Sequence, residues 1–302
     1  MLVSRPYEIN DYEKIINFLR EIYLETGNQY CWLPQRWEYA EYNCNDIALT
    51  KGWQDWKETI KIWEEDNKIV GIAHKEMDYD VFLQIRPSYE FLAKEMLEYL
   101  EETIPREKNE KDSELVLFIN EDMLYLEEML ISKGYKKYKN RSYFNHLLLE
   151  GEYEARLPEG FTFVDGIEVK QQEERQLCCH LGFHPEDEPN TLPDWGFSME
   201  SAPMFDPKLE IMTKDKEGNL CSFCVIWYDP LLKIAMFEPV CTRKAYRKKG
   251  LGKAMIIEGL RRLKAMGAKI AYVESYGEDR KSFYNKAGFI TYDGDYAYRK
   301  KF

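Results

Sequence analysis

Apolar and polar positions along the first half of the chain alternate between strand and helix patterns. Helical spacing of apolar residues predicts a helix over 12–24. Short apolar runs predict four strands, at 60–63, 69–73, 81–85 and 115–119. Helical patterns return at 89–102 and 123–133, and Gly134 is well placed to end the second of these helices. This order predicts a mixed α/β domain.

The second half repeats the same order. Apolar runs predict strands at 209–212, 221–228, 234–240 and 269–273. A long helix is predicted over 250–266, and a last helix ends at Gly288. Pro158 and Gly160 break the pattern between the halves. The repeat predicts two tandem domains, at 1–152 and 159–302.

A glycine turn in the second half carries an unusual concentration of charge. Six basic residues and no acid lie between Arg243 and Lys253, although the formal net charge of the chain is −12. Cations at the start of a helix oppose the helix dipole, so a bound anion would explain them. Free N–H groups of the first turn would bind it, and glycines would let it approach closely. The stretch predicts a phosphate cradle; the alternative is a solvated basic helix start.

These residues give the second half a family resemblance. Arg247 to Gly252 fits the acyl-CoA signature of the GNAT acyl-CoA N-acyltransferases, an Arg or Gln followed by x-x-G-x-G/A. Residues 283–289 fit the later aromatic-tyrosine to Gly-Phe element of that family. The resemblance implies two tandem GNAT folds, each a mixed, mostly antiparallel twisted sheet flanked by helices. It also implies acetyl-CoA, or another acyl-CoA, as co-substrate.

The resemblance further implies which residues hold this co-substrate. Main-chain groups of Val240 and Thr242 would hold the pantetheine arm. Amides of the signature loop would hold the pyrophosphate, with the signature arginine framing the loop and nearby lysines meeting phosphates from solvent. The loop residues are Arg247, Lys248, Lys249, Gly250, Leu251, Gly252 and Lys253. The family would have an asparagine at Gly277 and an alanine at Arg280. The resemblance is therefore weaker around these two residues.

Transfer of an acyl group from a thioester to an amine needs one group that accepts a proton from the amine and another that protonates the departing thiolate. The resemblance points Tyr284 at the CoA sulfur, and a phenol with a pKa near ~10 can donate that proton. Its alternative role is a core aromatic. Glu238 is the predicted general base, placed by strand alternation on the face of Val240. It could instead orient the substrate or pair with a cation, leaving a water chain as the base.

The first half departs from the family pattern where the chemistry would lie. The aligned stretch, 86–93, has no glycine, and Glu90 replaces the signature arginine. A carboxylate there would repel pyrophosphate. The position that matches the tyrosine is Leu130, which cannot donate a proton. The first domain is therefore predicted to keep the fold without binding acyl-CoA.

Composition and charge bear on the partners and the cellular location of the protein. The acidic balance argues against nucleic acid as a partner, and no apolar run approaches the ~20 residues that span a bilayer. The N-terminus has no signal-peptide pattern, and seven scattered cysteines suit a reducing compartment, so a cytoplasmic location is expected. His180 and His184 share a helix face beside two cysteines, but no second ligand pair accompanies them, and no metal is predicted.

The predicted function is transfer of acetyl from acetyl-CoA to a primary amine of a small molecule by direct attack. The main alternative is a non-catalytic acyl-CoA sensor. A tRNA-dependent transferase on the same tandem fold is a third possibility, against which the intact signature and the acidic balance both count. The identity of the amine and the oligomeric state stay open.

Overall fold

The computed structural model describes residues 1–52, 54–77, 79–104, 114–186 and 198–302. The chain forms two compact units, one of Met1–Tyr143 with Asp293–Phe302 and one of Phe144–Tyr292. These units differ from the predicted ranges of 1–152 and 159–302. Residues 144–152 belong to the second unit, and the last ten residues belong to the first. The difference arises because strand pairing joins segments that are distant in sequence.

The first unit is a mixed sheet with helices. Its strands are β1 (Leu2–Pro6), β2 (Lys61–Glu65), β3 (Lys68–Lys75), β4 (Asp80–Ile85), β5 (Glu114–Asn120), the first part of β6 (Lys136–Leu148), and β13 (Asp295–Lys301). Its helices are α1 (Tyr12–Thr26), α2 (Pro34–Tyr39), α3 (Asn45–Thr50), α4 (Ala93–Thr103) and α5 (Glu127–Ser132). The strand order is β1-β2-β3-β4-β5-β13-β6, with β4 and β5 parallel and the other neighbouring pairs antiparallel.

The second unit repeats this plan. Its strands are the end of β6, β7 (Thr162–Asp165), β8 (Glu210–Lys214), β9 (Leu220–Asp229), β10 (Ile234–Thr242), β11 (Ile270–Tyr276) and β12 (Ile290–Asp293). Its helices are α6 (Gln172–Phe183), α7 (Leu251–Ala265) and α8 (Glu278–Lys286). The order is β6-β11-β10-β9-β8-β7, and β12 pairs with β6. The β10–β11 pair is parallel, and β7, β8, β9 and β10 pair antiparallel.

The predicted strands and helices are present with small shifts of their ends. The helix predicted at 89–102 begins as a 3-10 segment at Pro87–Leu92 before α4, and the one at 123–133 begins similarly at Glu121–Leu126. Across the part of the chain that the structure describes, no helix is both long and apolar enough to cross a bilayer.

The core of the second unit lies where α7 and α8 pack against its sheet. The apolar residues that give α7 its helical periodicity are all buried: Leu251, Met255, Ile256, Leu260 and Leu263. The last four of these residues join Ile226 and Phe237 of the sheet and Phe289, which follows α8. Burial of each such side chain contributes ~1.5–3 kcal/mol, so this core holds the start of α7 firmly beside the end of β10.

Candidate functional site

The second unit has an interrupted strand pair in the middle of its sheet. The parallel pairing of β10 with β11 covers Ile234–Met236 and Ile270–Tyr272 and goes no further. On its other side, β10 pairs with β9 through a register shift between Phe237 and Val240. Two residues of β10 therefore stand opposite one residue of β9, a bulge that bends the strand. The bend begins where the pairing with β11 ends.

The bulge also decides which way the next residues face. Phe237 belongs to the core beneath α7 and Val240 packs against that same core, so simple alternation does not hold between them. Alternation therefore does not fix the face of Glu238, and its placement on the face of Val240 stays a prediction. The Glu238 carbonyl accepts a hydrogen bond from Trp227 Nε1 at 2.6 Å. This bond ties the bulge to β9.

Beyond the bulge, two residues of β10 turn main-chain polar groups away from β9. The Arg243 N–H donates to the Cys221 carbonyl of β9 at 3.0 Å. Hydrogen-bonded and non-hydrogen-bonded pairs alternate in an antiparallel ladder, so Val240 and Thr242 direct their N–H and C=O groups away from β9. The Thr242 carbonyl accepts from Arg247 Nε at 2.9 Å. The prediction that this main chain meets a ligand is compatible with the geometry.

A cavity of about 410 Å³ opens at this place. Five predicted site residues line it: Val240, Thr242, Arg247, Gly252 and Tyr284. The remaining lining residues are Gly182, Phe183, Pro185, Cys241, Asp279, Arg280 and Phe283. The other predicted residues are not part of the lining: Glu238, Lys248, Lys249, Gly250, Leu251 and Lys253. The structure thus brings together the strand end, the loop and the tyrosine.

The signature loop adopts a conformation that depends on glycine. Gly250 is the residue before α7 and has φ 85°, in the left-handed region that side chains disfavour. Its carbonyl accepts the first helical bond, from the Ala254 N–H at 3.0 Å. The N–H groups of the first turn precede that bond, so no helical carbonyl satisfies them. Groups of this kind bind anions at helix N-termini, so the start of α7 is compatible with the predicted phosphate cradle.

Side chains of the loop divide into anchors and solvent-facing cations. Arg247 donates to the carbonyls of Thr242 and, at 2.7 Å, Gly182, which fastens the loop to β10 and α6. Lys248 and Lys253 are exposed, and within the described ranges neither has a carboxylate within 4 Å.

Two other loop residues have different surroundings. The Lys249 ammonium lies 5.0 Å from the centre of the Tyr246 ring. Leu251 is buried in the core, so it offers the loop only its main chain.

The C-terminal end of α6 forms a cavity wall that sequence reasoning missed. A Cβ on Gly182 would lie 2.4 Å from Cys241 Sγ, so only glycine lets α6 approach β10 this closely. Phe183 and Pro185 continue the wall. A glycine and an aromatic residue just before a helix-ending proline were the available signals. The sequence did not indicate which strand they would meet.

Tyr284 is nearly enclosed, with 8% of its surface exposed. Burial raises its pKa, and the nearby Cys224 thiol and Glu238 carboxylate act in the same direction. The phenol is therefore protonated throughout the neutral pH range, which is the form that can donate a proton.

The cysteines and histidines show no sign of metal or redox chemistry in the described ranges. All seven cysteines are free and buried. A hydrogen bond with Cys179 and burial raise the pKa of Cys241 well above its usual value, so the cavity wall presents a neutral thiol. His180 and His184 stack with ring centres 4.4 Å apart. Within the described residues, no group of three His, Cys, Asp or Glu is arranged to hold a metal ion.

Part of this unit matches a known protein family. Residues 169–289 match the model of the "Acetyltransferase (GNAT) family". Two mycothiol acetyltransferases are similar in sequence, from Streptomyces coelicolor at 29% identity and from Streptomyces avermitilis at 30%. Each alignment covers 154 residues, which is 48% of this chain and 48% of the relative. The alignment thus spans about half the length of these curated relatives.

Comparison with solved structures covers the whole chain. A GCN5-related N-acetyltransferase from Sphaerobacter thermophilus superposes with a TM-score of 0.67 at 15% identity, covering 99% of this chain and 95% of that one. A tandem GNAT protein from the clavulanic acid biosynthesis pathway gives 0.64 at 11% identity, covering 100% and 98%. The predicted tandem fold is confirmed.

Proposed function

Because residues 169–289 match the model of the acetyltransferase (GNAT) family, we propose that this chain transfers an acetyl group from acetyl-CoA to a primary amine of a small molecule. One observation carries the proposal. The end of β10 that turns its main chain away from β9, the glycine-capped start of α7 and the buried Tyr284 all border one cavity. These are the groups needed to hold a pantetheine arm, a pyrophosphate and a leaving thiol. The name of the sequence relatives supports a small-molecule acceptor.

The proposed reaction is a direct attack. The amine nitrogen bonds to the thioester carbonyl carbon and passes a proton to Glu238, directly or through water. The carbon–sulfur bond breaks, and the departing thiolate takes the proton of Tyr284. Solvent then returns the proton from Glu238 to the phenolate, leaving the amide and free CoA. The raised pKa of Tyr284 keeps the phenol protonated at neutral pH, which is the form that a proton donor needs.

The proposed role of Glu238 can be tested separately. Glu238→Gln removes the proton acceptor and keeps the shape, so kcat should fall about tenfold or more while acetyl-CoA affinity is retained. Glu217→Gln, in the exposed turn before β9, is the matched control. An unchanged kcat would assign the proton to a water chain instead.

The function as a whole is tested by release of CoA thiol from acetyl-CoA with a panel of amino sugars, polyamines and amino-acid derivatives. Amine-dependent release, with an acetylated product of matching mass, is the expected result. Tight binding of acetyl-CoA without turnover on any amine would favour the acyl-CoA sensor instead. We place the activity in the cytoplasm; the free state of all seven cysteines supports a reducing compartment.

A further inference from the structure

Arg280 occupies a position in the cavity that the roles above do not use. It precedes Tyr284 by four residues on α8, so the two side chains share one face of the helix. Both line the cavity. On the same face, the Phe283 ring is the first group that a Cβ on Gly252 would meet, at 3.3 Å. This face of α8 therefore lies against the first turn of α7, where an anion is expected.

The two arginines of the cavity differ in how they are held. Arg247 donates to the carbonyls of Thr242 and Gly182, so its guanidinium serves the protein itself. Arg280 is exposed and donates through Nη1 to the Tyr276 carbonyl at 3.0 Å. Within the described ranges it has no carboxylate within 4 Å. This single anchor orients the guanidinium and leaves other N–H donors for a ligand, in a geometry that suits phosphate oxygens.

Coenzyme A has two separate phosphate-bearing groups, the diphosphate and the 3′-phosphate on its ribose. Under the proposed function, the free N–H groups at the start of α7 hold the diphosphate. We infer that Arg280 binds the 3′-phosphate and makes the protein selective for the complete cofactor over its 3′-dephospho form. The inference rests on the proposed function, because it requires acyl-CoA to occupy the cavity.

Two neighbours of Arg280 on α8 provide comparison variants. Substitution of one should have the opposite effect on CoA binding, and substitution of the other should have none. Asp279 lines the same cavity, and a carboxylate there repels a phosphate dianion. Removal of its charge should therefore strengthen the binding that removal of the Arg280 charge weakens. Lys281 is the matched control: it is the next cation on the helix, pairs with Glu278 at 2.6 Å and is not part of the cavity lining.

The test is calorimetric titration of the full chain with CoA and with 3′-dephospho-CoA. Arg280→Gln should weaken CoA binding about tenfold at low salt and leave 3′-dephospho-CoA within about twofold. Asp279→Asn should tighten CoA binding about two- to threefold, again without effect on the dephospho form. Lys281→Gln should change neither. Added salt should reduce the difference between the two ligands in the parent protein.

Two results would overturn the inference alone. One is equal weakening of both ligands by Arg280→Gln, which would assign the residue to the diphosphate or to the fold. The other is no weakening of either ligand while the parent binds both. If the parent protein bound neither ligand, the proposed function would fail together with the inference, so the two failures are distinguishable.

Discussion

In the first unit, β4 and β5 are paired in parallel at Asp80 and Val81, just as β10 and β11 are paired at Ile234–Met236 in the second. In both units the pairing stops after a few residues. What lies beside the end of the first strand differs. In the second unit this place is the cavity beside Val240. In the first unit, the Cys31 thiol donates to the Ile85 carbonyl at 3.5 Å. In the first unit, another segment of the chain therefore binds the main chain at the end of β4. In the second unit, the corresponding end of β10 borders the cavity.

A chain of hydrogen bonds fastens this segment of the first unit. The Trp32 N–H donates to Gln84 Oε1 at 2.8 Å, and the Gln84 amide meets His74 Nε2 at 3.1 Å. His74 Nδ1 in turn lies 3.0 Å from the Lys75 carbonyl. All these groups are buried or partly buried, so the network costs free energy to break.

The loops that follow the two strands differ as well. The first unit has Pro87 and Glu90 where the second has its glycines, and Glu90 accepts a hydrogen bond from the Tyr30 hydroxyl at 3.2 Å. Arg86 forms salt bridges with Glu21 and Glu25 of α1. A parallel strand pair of this kind therefore leaves room for a ligand only where no other segment of the chain covers the end of the strand. It supports the proposal that acyl-CoA binds the second unit alone.

The largest effect is expected when the loop before α7 receives an acid like Glu90 of the first unit. Gly250→Glu puts a side chain at φ 85° and a carboxylate at the anion-binding end of α7. We expect acetyl-CoA binding to weaken at least about 100-fold by calorimetry. Gly218→Glu is the matched control, an exposed glycine with φ 90° in the turn before β9. Equal loss in both variants would indicate unfolding, and retained binding in Gly250→Glu would remove the cradle from the site.

The second prediction separates binding from chemistry within the open site. Tyr284→Phe should keep acetyl-CoA affinity within about twofold and lower kcat about 100-fold or more, because no group protonates the thiolate. Stopped-flow thiol release and calorimetry measure the two effects. Tyr153→Phe, a tyrosine packed against the same core whose hydroxyl bonds the Leu148 carbonyl at 3.2 Å, should change neither. Equal turnover in Tyr284→Phe and the parent protein would remove Tyr284 from the mechanism.

The smallest expected effect concerns the filled site of the first unit. Burial lowers the pKa of His74 to about 3, so the folded state excludes a proton that the unfolded state binds below about pH 6.5. This contribution to stability is full above pH 6.5 and is lost as the pH falls toward 3. Between pH 7 and 5 the free energy of unfolding should drop by about 2 kcal/mol from this group.

Urea unfolding followed by tryptophan fluorescence measures this drop. His74→Gln should flatten the pH dependence by that amount, whereas His184→Gln, at an exposed helix end, should leave it unchanged. The same pH dependence in the His74 variant and the parent protein would contradict a buried neutral imidazole.

Local sequence signals identified most elements of the fold and the centre of the site. Periodicity located the strands and helices because each buries one face, and this rule acts within a few residues. The left-handed Gly250 and the buried Tyr284 stood in recognisable local patterns. The wall formed by Gly182, Phe183 and Pro185 did not, because its position depends on how closely α6 approaches β10.

The order of elements, their repetition and the loop that begins α7 follow from the sequence, since backbone conformation and amphipathicity are local properties. That Asp293–Phe302 completes the sheet of the first unit, and that 144–152 joins the second, follows from the packing of the folded chain. The same packing covers one of two similar strand ends. Partner choice between strands and contact between distant segments depend on the free energy of the whole packed chain, which no short stretch of residues encodes.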